Sequence, residues 1–210
     1  MFKNIYKPDS FDKLIFQNDI ARKKLSNYAS GKRIGNILLH GPCGTSKSTT
    51  AMIIARDSRL AHIQGFDWGV QTVKCGDFKP DQLAKIKSAW ASSYLSFEYA
   101  VFDEFDQLNM DNQHKVRALL DSNEGKRGII MTTNHLRRVD PAIQNRCEVV
   151  EMPKLDTAKL LPLCESILHA EGITMATEDI EEAIEHEDGS FRDVLRQLEF
   201  IVQEANAKAA

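Results

Sequence analysis

The 210-residue sequence has no apolar run approaching the ~20 residues that a helical membrane span requires. Its N-terminus, MFKNIYKPDS, lacks the apolar segment of a signal peptide, so the cytoplasm is the expected location. The four cysteines (Cys43, Cys75, Cys147 and Cys164) include no C-x-x-C pair. Their scatter argues against a zinc site and against a disulfide framework, and leaves buried or partly buried free thiols as the expectation. No sign of charge dominates: 27 Lys and Arg stand against 30 Asp and Glu, for a net charge of −3. That balance excludes a protein that coats nucleic acid by bulk charge, so any DNA contact must come from a local patch or from several subunits together. KRIG (32–35) and HLRR (135–138) are short basic clusters that each read as solvated surface. There is no internal repeat, and only the polar, alanine-rich end QEANAKAA (203–210) is expected to fray.

A further absence is local. GPCGTSKSTT (41–50) follows the phosphate-loop pattern G-x-x-x-x-G-K-[ST], except that Ser46 stands where the second glycine belongs. A serine Cβ crowds the loop if that residue must take a glycine-only conformation, although a small hydroxymethyl turned away from the ligand is tolerable. In such a loop backbone N–H groups and a helix N-terminus converge on phosphates, a lysine reaches the outer phosphates, and a hydroxyl binds Mg²⁺. Gly41, Pro42, Cys43, Gly44, Thr45, Ser46, Lys47, Ser48 and Thr49 make up this segment, with Lys47 and Ser48 in the two chemical places.

What surrounds the loop is a strict alternation of strand and helix patterns. Strands are expected at 36–41, 70–75, 99–104, 127–134 and 147–153, and helices after the loop, at 80–95 and at 112–122. The alternation implies a parallel sheet of five strands with helices on both faces. After Pro153 only helix patterns follow, closed by Gly172 and Gly189 at helix-stop positions. The expected domains are therefore an α/β nucleotide-binding unit at 1–153 and a small all-helical unit at 154–210.

Two strand ends carry further chemistry. YAVFDEFD ends an apolar strand in Asp103 and Glu104, where ligands bind at the C-terminal edge of open α/β sheets. Asp103 would hold Mg²⁺, and Glu104 would act as general base on the attacking water. IIMTTN ends another strand in Asn134, an amide suited to positioning that water. Arg146, in QNRCEVVEMP, is either an arginine finger serving a neighbouring subunit or a surface salt-bridge partner.

With these residues in place the chain resembles the AAA+ P-loop NTPases, and among them the small ATPase subunit of replication clamp loaders (replication factor C type), the bacteriophage form in particular. The resemblance runs from YKPDSFDKLIFQND (6–19) to GSFRDVLRQLEF (189–200). It includes a Tyr-x-Pro segment, the phosphate loop, FDEFD, TTN, QNRC in place of S-R-C, and a Gly-x-x-Arg near the end. It implies that Tyr6 and Pro8 lie at an adenine pocket with Ile15 and Phe16 beside them. It further implies ATP and Mg²⁺ as cofactors, Asn134 as sensor 1, Arg192 as a sensor 2 reaching down from a helical lid, and Arg146 acting in trans within an oligomer.

KCGDFKPDQLAKIKSAW (74–90) resembles the segment that faces DNA in the central chamber of these assemblies. Lys79 matches its basic residue, and helix N–H groups near Asp81 would meet a phosphate without reading sequence. Lys85 and Lys87 read as solvated, and Trp90 and Phe97 as core. Gln113 matches a residue that couples the DNA-facing side to Glu104. The partners implied are primer-template DNA, a sliding clamp and other clamp-loader subunits, in a bacterial cell or a phage-infected host. Asn145 in place of serine and Cys43 within the loop depart from the family pattern. A third, helical collar domain is also expected in clamp-loader subunits, so these 210 residues are either part of a longer subunit or a shorter relative. The alternative function is a nucleotide-switched adaptor, such as a helicase loader or mobile-element regulator, with little turnover. A remodelling role through pore loops has only GFDW (65–68) to suggest it.

Overall fold

A computed structural model describes residues 1–60, 70–93, 98–121 and 127–209. GFDW and Phe97 lie outside the described residues, as does Ser122 at the expected end of one helix.

The central sheet contains β1 (Ile37–His40), β2 (Gln71–Lys74), β3 (Glu98–Asp103), β4 (Arg127–Thr133) and β5 (Glu148–Glu151). All pairings are parallel and the order is β2-β3-β4-β1-β5. The expected five-stranded parallel sheet is thus present. Its middle strands are mainly apolar because both faces are covered. Alternation divides their side chains between two cores. Ile37 and Leu39 join Leu25, Tyr28, Ile53, Ile54, Val101 and Ile130 on one face. Leu38 joins Val73, Ile86, Phe102, Phe105, Leu119, Ile129 and Met131 on the other. The first face is covered by α2 (Asp19–Ala29) and α3 (Lys47–Leu60), and the second by α4 (Asp81–Ser92) and α5 (Met110–Asp121). Trp90 belongs to the second core, as expected.

Helix α2 was absent from the sequence expectations, although its signals are present. Asn18 caps it by accepting from the Ala21 N–H at 2.7 Å. Ala21, Leu25 and Tyr28, at helical spacing, turn inward. The short α6 (Pro141–Gln144) begins similarly, with Asp140 capping the Ala142 N–H and Pro141 in the first turn.

Beyond β5 come α7 (Thr157–Ala170), α8 (Thr177–Glu185) and α9 (Phe191–Ala209), which share a third core of Leu160, Ile167, Ile180, Ile184, Leu195 and Leu198. Helix α9 runs to Ala209, so the fraying expected of 203–210 is corrected to continued helix as far as Ala209, and Ala210 lies outside the described residues. The apolar stripe of α9 reaches Val202, which is buried in this core and anchors the helix beyond its middle. The one-turn α1 (Phe2–Ile5) also belongs here: Phe2 is buried in the third core, and Tyr6 and Ile15 pack on it. No helix among the described residues is long and apolar enough to cross a membrane.

Candidate active site

The C-terminal ends of β1, β3 and β4 lie side by side, which brings the phosphate loop, Asp103-Glu104 and Thr133-Asn134 to one edge of the sheet. This is also where strand order reverses, since β1 is flanked by β4 and β5. A cleft of about 290 Å³ opens there, lined by loop residues 43–49, Glu104, Thr132, Thr133 and Asn134, and by Phe191, Arg192 and Leu195 of α9.

Within the loop, Gly44 has φ +82° and Ser46 has φ +62°. Ser46 therefore occupies the left-handed region that favours glycine, at a cost of ~1–2 kcal/mol for an L-residue. Lys47 is buried, and its ammonium donates to the Pro42 carbonyl and, at 3.4 Å, to the Thr45 hydroxyl. Burial holds Lys47 below the ordinary lysine range, partly offset by the nearby acids Cys43 and Asp103. Cys43 is exposed, which corrects the expectation of buried or partly buried thiols at this one position; the loop carries its side chain outward into the cleft mouth.

The acidic pair is held by hydroxyls. Asp103 Oδ1 accepts from Ser48 Oγ and from Thr132 Oγ1, each at 2.6 Å. Thr132 Oγ1 also accepts from the Glu104 N–H at 3.1 Å. Glu104 itself is left-handed, φ 57° and ψ 50°, a strained conformation of the kind that collects at functional sites. Its carboxylate accepts from Gln107 Nε2 at 2.7 Å. Asp106 fixes the end of β4 by accepting from Thr133 Oγ1 at 2.7 Å and from the Asn134 N–H at 3.3 Å. Asn134 is left exposed on the cleft wall.

A hydroxyl beside a single carboxylate suits Mg²⁺, which keeps waters and phosphate oxygens as its other ligands. Among the described residues there is no group of three or more His, Cys, Asp or Glu that could hold a metal alone. The donor set therefore fits a nucleotide-borne Mg²⁺ and does not form an all-protein metal centre.

Helix α9 begins directly on the loop. The Phe191 N–H donates to the Gly44 carbonyl at 3.1 Å, and a Cβ on Gly44 would lie 2.1 Å from Ser190 Oγ. The Gly44 site thus needs glycine twice, for its φ and for this approach. Arg192 Nη1 reaches Cys43 Sγ at 3.5 Å, over the loop.

The other sequence-predicted residues are placed as follows. Tyr6 and Pro8 are absent from the cleft wall, which instead includes Lys3, Asn4 and Lys7. The Tyr6 hydroxyl donates to Glu171. Ile15 and Phe16 line a smaller hollow with Thr45 and Met152. Gly41 begins the loop at the end of β1, where its Cβ would meet the Met152 carbonyl at 2.1 Å. Gln113 is buried and donates to the Leu108 and Arg138 carbonyls at 3.0 and 2.9 Å, while accepting from the Asp140 N–H at 2.8 Å. Its amide is committed to those three backbone groups, and the side chain that holds Glu104 is Gln107. Lys79, Asp81, Lys85 and Lys87 are exposed; Lys85 pairs with Asp81 at 2.8 Å, and the Lys79 N–H donates to Gln82 at 2.8 Å.

Arg146 is outside its own cleft. Its carbonyl accepts from the side chain of Asn36, the residue just before β1 and five before Gly41, at 3.3 Å. At ~3.3 Å per residue the two lie about 17 Å apart along the sheet, beyond the span of an arginine side chain. Its guanidinium is exposed, bonded to Asp121 and to the Ala142 carbonyl at 2.8 Å. The hydrogen bond to Asp121 raises its pKa further and keeps it charged.

Among known proteins, the replication factor C small subunit of Thermofilum pendens is 25% identical over 92% of this chain and 60% of its own length. The small subunit of Archaeoglobus fulgidus is 26% identical over 92% of this chain and 61% of its own length. The chain thus spans about three fifths of the curated relatives it matches. The RuvB Holliday junction branch migration motor of Thermotoga maritima superposes with a TM-score of 0.75, covering 100% of this chain and 68% of that one. At 16% identity that likeness speaks to the fold alone. Residues 37–154, more than half of the chain, match the family described as ATPase family associated with various cellular activities, and with the loop, acidic pair and sheet edge described above the chain belongs to that AAA family.

Proposed function

We propose that this chain is a DNA-dependent ATPase of clamp-loader type, which couples ATP binding and hydrolysis at subunit joints to assembly on primer-template DNA and sliding-clamp loading. The carrying observation is the single cleft that gathers the loop, Glu104, Asn134 and Arg192 from four separate stretches of chain. Lys47 turns from the Pro42 carbonyl to the outer phosphates, while Ser48 and Asp103 would hold Mg²⁺, whose charge would neutralise that of the phosphates. Glu104 takes a proton from the attacking water, and Asn134 orients that water beside the terminal phosphate. Arg192 faces the same phosphate from α9, so nucleotide state is coupled to the seating of the helical unit, 154–210, as a lid.

Arg146 serves the cleft of a neighbouring protomer, since it cannot reach its own. Lys79 and the N-terminus of α4 meet the DNA backbone without reading sequence. The resemblance to replication factor C subunits supports a sliding clamp and other loader subunits as partners.

The test is the ATP hydrolysis rate with and without primer-template DNA, in the wild type and in Arg146→Ala. Stimulation by DNA that falls by about 10³-fold in the variant, with ATP affinity retained, is expected for a finger acting in trans. Tight ATP binding with no stimulated turnover in the wild type would instead favour the nucleotide-switched adaptor.

A further inference from the structure

The guanidinium of Arg146 is held on two sides. Nε and Nη2 donate to the Asp121 carboxylate at 2.5 and 3.4 Å, and Nη1 donates to the Ala142 carbonyl at 2.8 Å. An arginine carries five N–H groups in a rigid, planar fork. Three are engaged here, and the two that remain, one on each terminal nitrogen, have no partner among the described residues. That is the pair of parallel donors a phosphate accepts.

Neither the helix nor the fold accounts for a carboxylate at position 121. Asp121 is the last residue of α5, and an acid at a helix C-terminus opposes the macrodipole. Its pair with Arg146 joins side chains that are 52% and 39% exposed, and pairs so exposed contribute little to stability. One turn earlier, Arg117 takes the other nearby carboxylate, that of Asp140, at 3.4 Å, which leaves Asp121 to Arg146. What the contact does fix is direction. An exposed arginine with no anchor samples many rotamers, and this one is tied at three of its donors.

We infer that Asp121 is a positioning residue, which with the Ala142 carbonyl grips the Arg146 guanidinium from behind and turns its two open N–H groups towards the nucleotide of the neighbouring protomer. This rests on the reading of Arg146 as a finger acting in trans. It adds that the finger is ordered within its own chain before the neighbour arrives. Its rotamer entropy is then lost on folding and not in the transition state of the neighbour's reaction.

The test mixes E104Q chains, which keep the finger, with R146A chains, which keep the cleft. ATP hydrolysis is followed on primer-template DNA at saturating chain concentration, with D121N placed in one chain or the other. Asp121 is exposed, so the substitution leaves the cores intact. With E104Q/D121N as the finger chain, kcat is expected to fall about tenfold while KM for ATP is unchanged. With R146A/D121N as the cleft chain, the rate stays that of the parent mixture. An equal loss whichever chain carries D121N would mark a structural role and overturn the inference. An unchanged or faster rate with D121N beside the finger would overturn it too, while the reading of Arg146 in trans stood. A parent mixture without activity would sink that reading and the inference with it.

Discussion

Ser46 and Glu104 are both left-handed, and only one of them has a reason in the chemistry. Glu104 is turned at the end of β3 so that its carboxylate faces the cleft while its N–H stays on Thr132. Ser46 bears the same strain at a position where the phosphate-loop pattern places glycine. Ser46→Gly relieves ~1–2 kcal/mol of strain but adds entropy to the unfolded chain, for a net gain of roughly 0.5–1 kcal/mol. Thermal unfolding should rise by roughly 1–4 °C for a chain of this size, with ATP affinity kept. The thiols give a second residue-scale expectation. Burial pushes Cys75, Cys164 and half-buried Cys147 up to about 12, whereas Cys43 is exposed beside Arg192. A thiolate-directed reagent at neutral pH should label Cys43 first, and ATP should protect it. Mass spectrometry that finds equal labelling of all four thiols, or no protection, would contradict this placement. The loop, the acidic pair and Asn134 were legible because strand ends and motif spacing announce them. Gln107 was not, because a glutamine in a turn looks like solvated surface until the fold sets its amide on the Glu104 carboxylate.

At the scale of elements, Glu148 at the start of β5 ties the edge of the sheet to the N-terminal region. It accepts from Lys24 of α2 at 2.7 Å and pairs with Arg33 at 2.9 Å, and its side chain is only 17% exposed. The Lys24 hydrogen bond, together with the charges of Lys24 and Arg33, holds its carboxyl below the ordinary glutamate range against a smaller opposing effect of burial. A depressed folded-state pKa contributes stability that is present above the unfolded value, about 4.3, and is lost as pH falls through the folded value. Glu148→Gln should therefore lower the unfolding temperature at neutral pH and flatten its decline on acidification. Parallel melts that keep the wild-type acid slope in the variant would show that the pairs contribute nothing there. The strands around the site could be read from apolar runs ending in polar residues. Their order could not, because periodicity marks burial on two faces and says nothing about which strand lies next to which. Helix α2 could have been found from Asn18 and its inward stripe, whereas α1 is too short for periodicity and owes its place to Phe2 entering the third core.

At the scale of the molecule, the sheet separates the two ends of the proposed chemistry. The loop, Glu104 and Asn134 sit at the C-terminal edge, and Arg146 sits about 17 Å away, beside Asn36 just before β1. On the proposed reading, a chain built this way would hold most of a hydrolytic site and present the remaining group to a neighbour, so that assembly and turnover would become one event. Head-to-tail packing of this kind is heterologous, and each joint draws on two different surfaces. The most direct measurement is ATP hydrolysis on primer-template DNA by Glu104→Gln alone, Arg146→Ala alone, and the two mixed in equal amounts. Each variant alone is expected to be nearly inactive, while the mixture regains roughly a quarter of the wild-type rate by random assortment of joints. A mixture as inactive as its components, with both variants still binding ATP, would contradict a site shared between protomers.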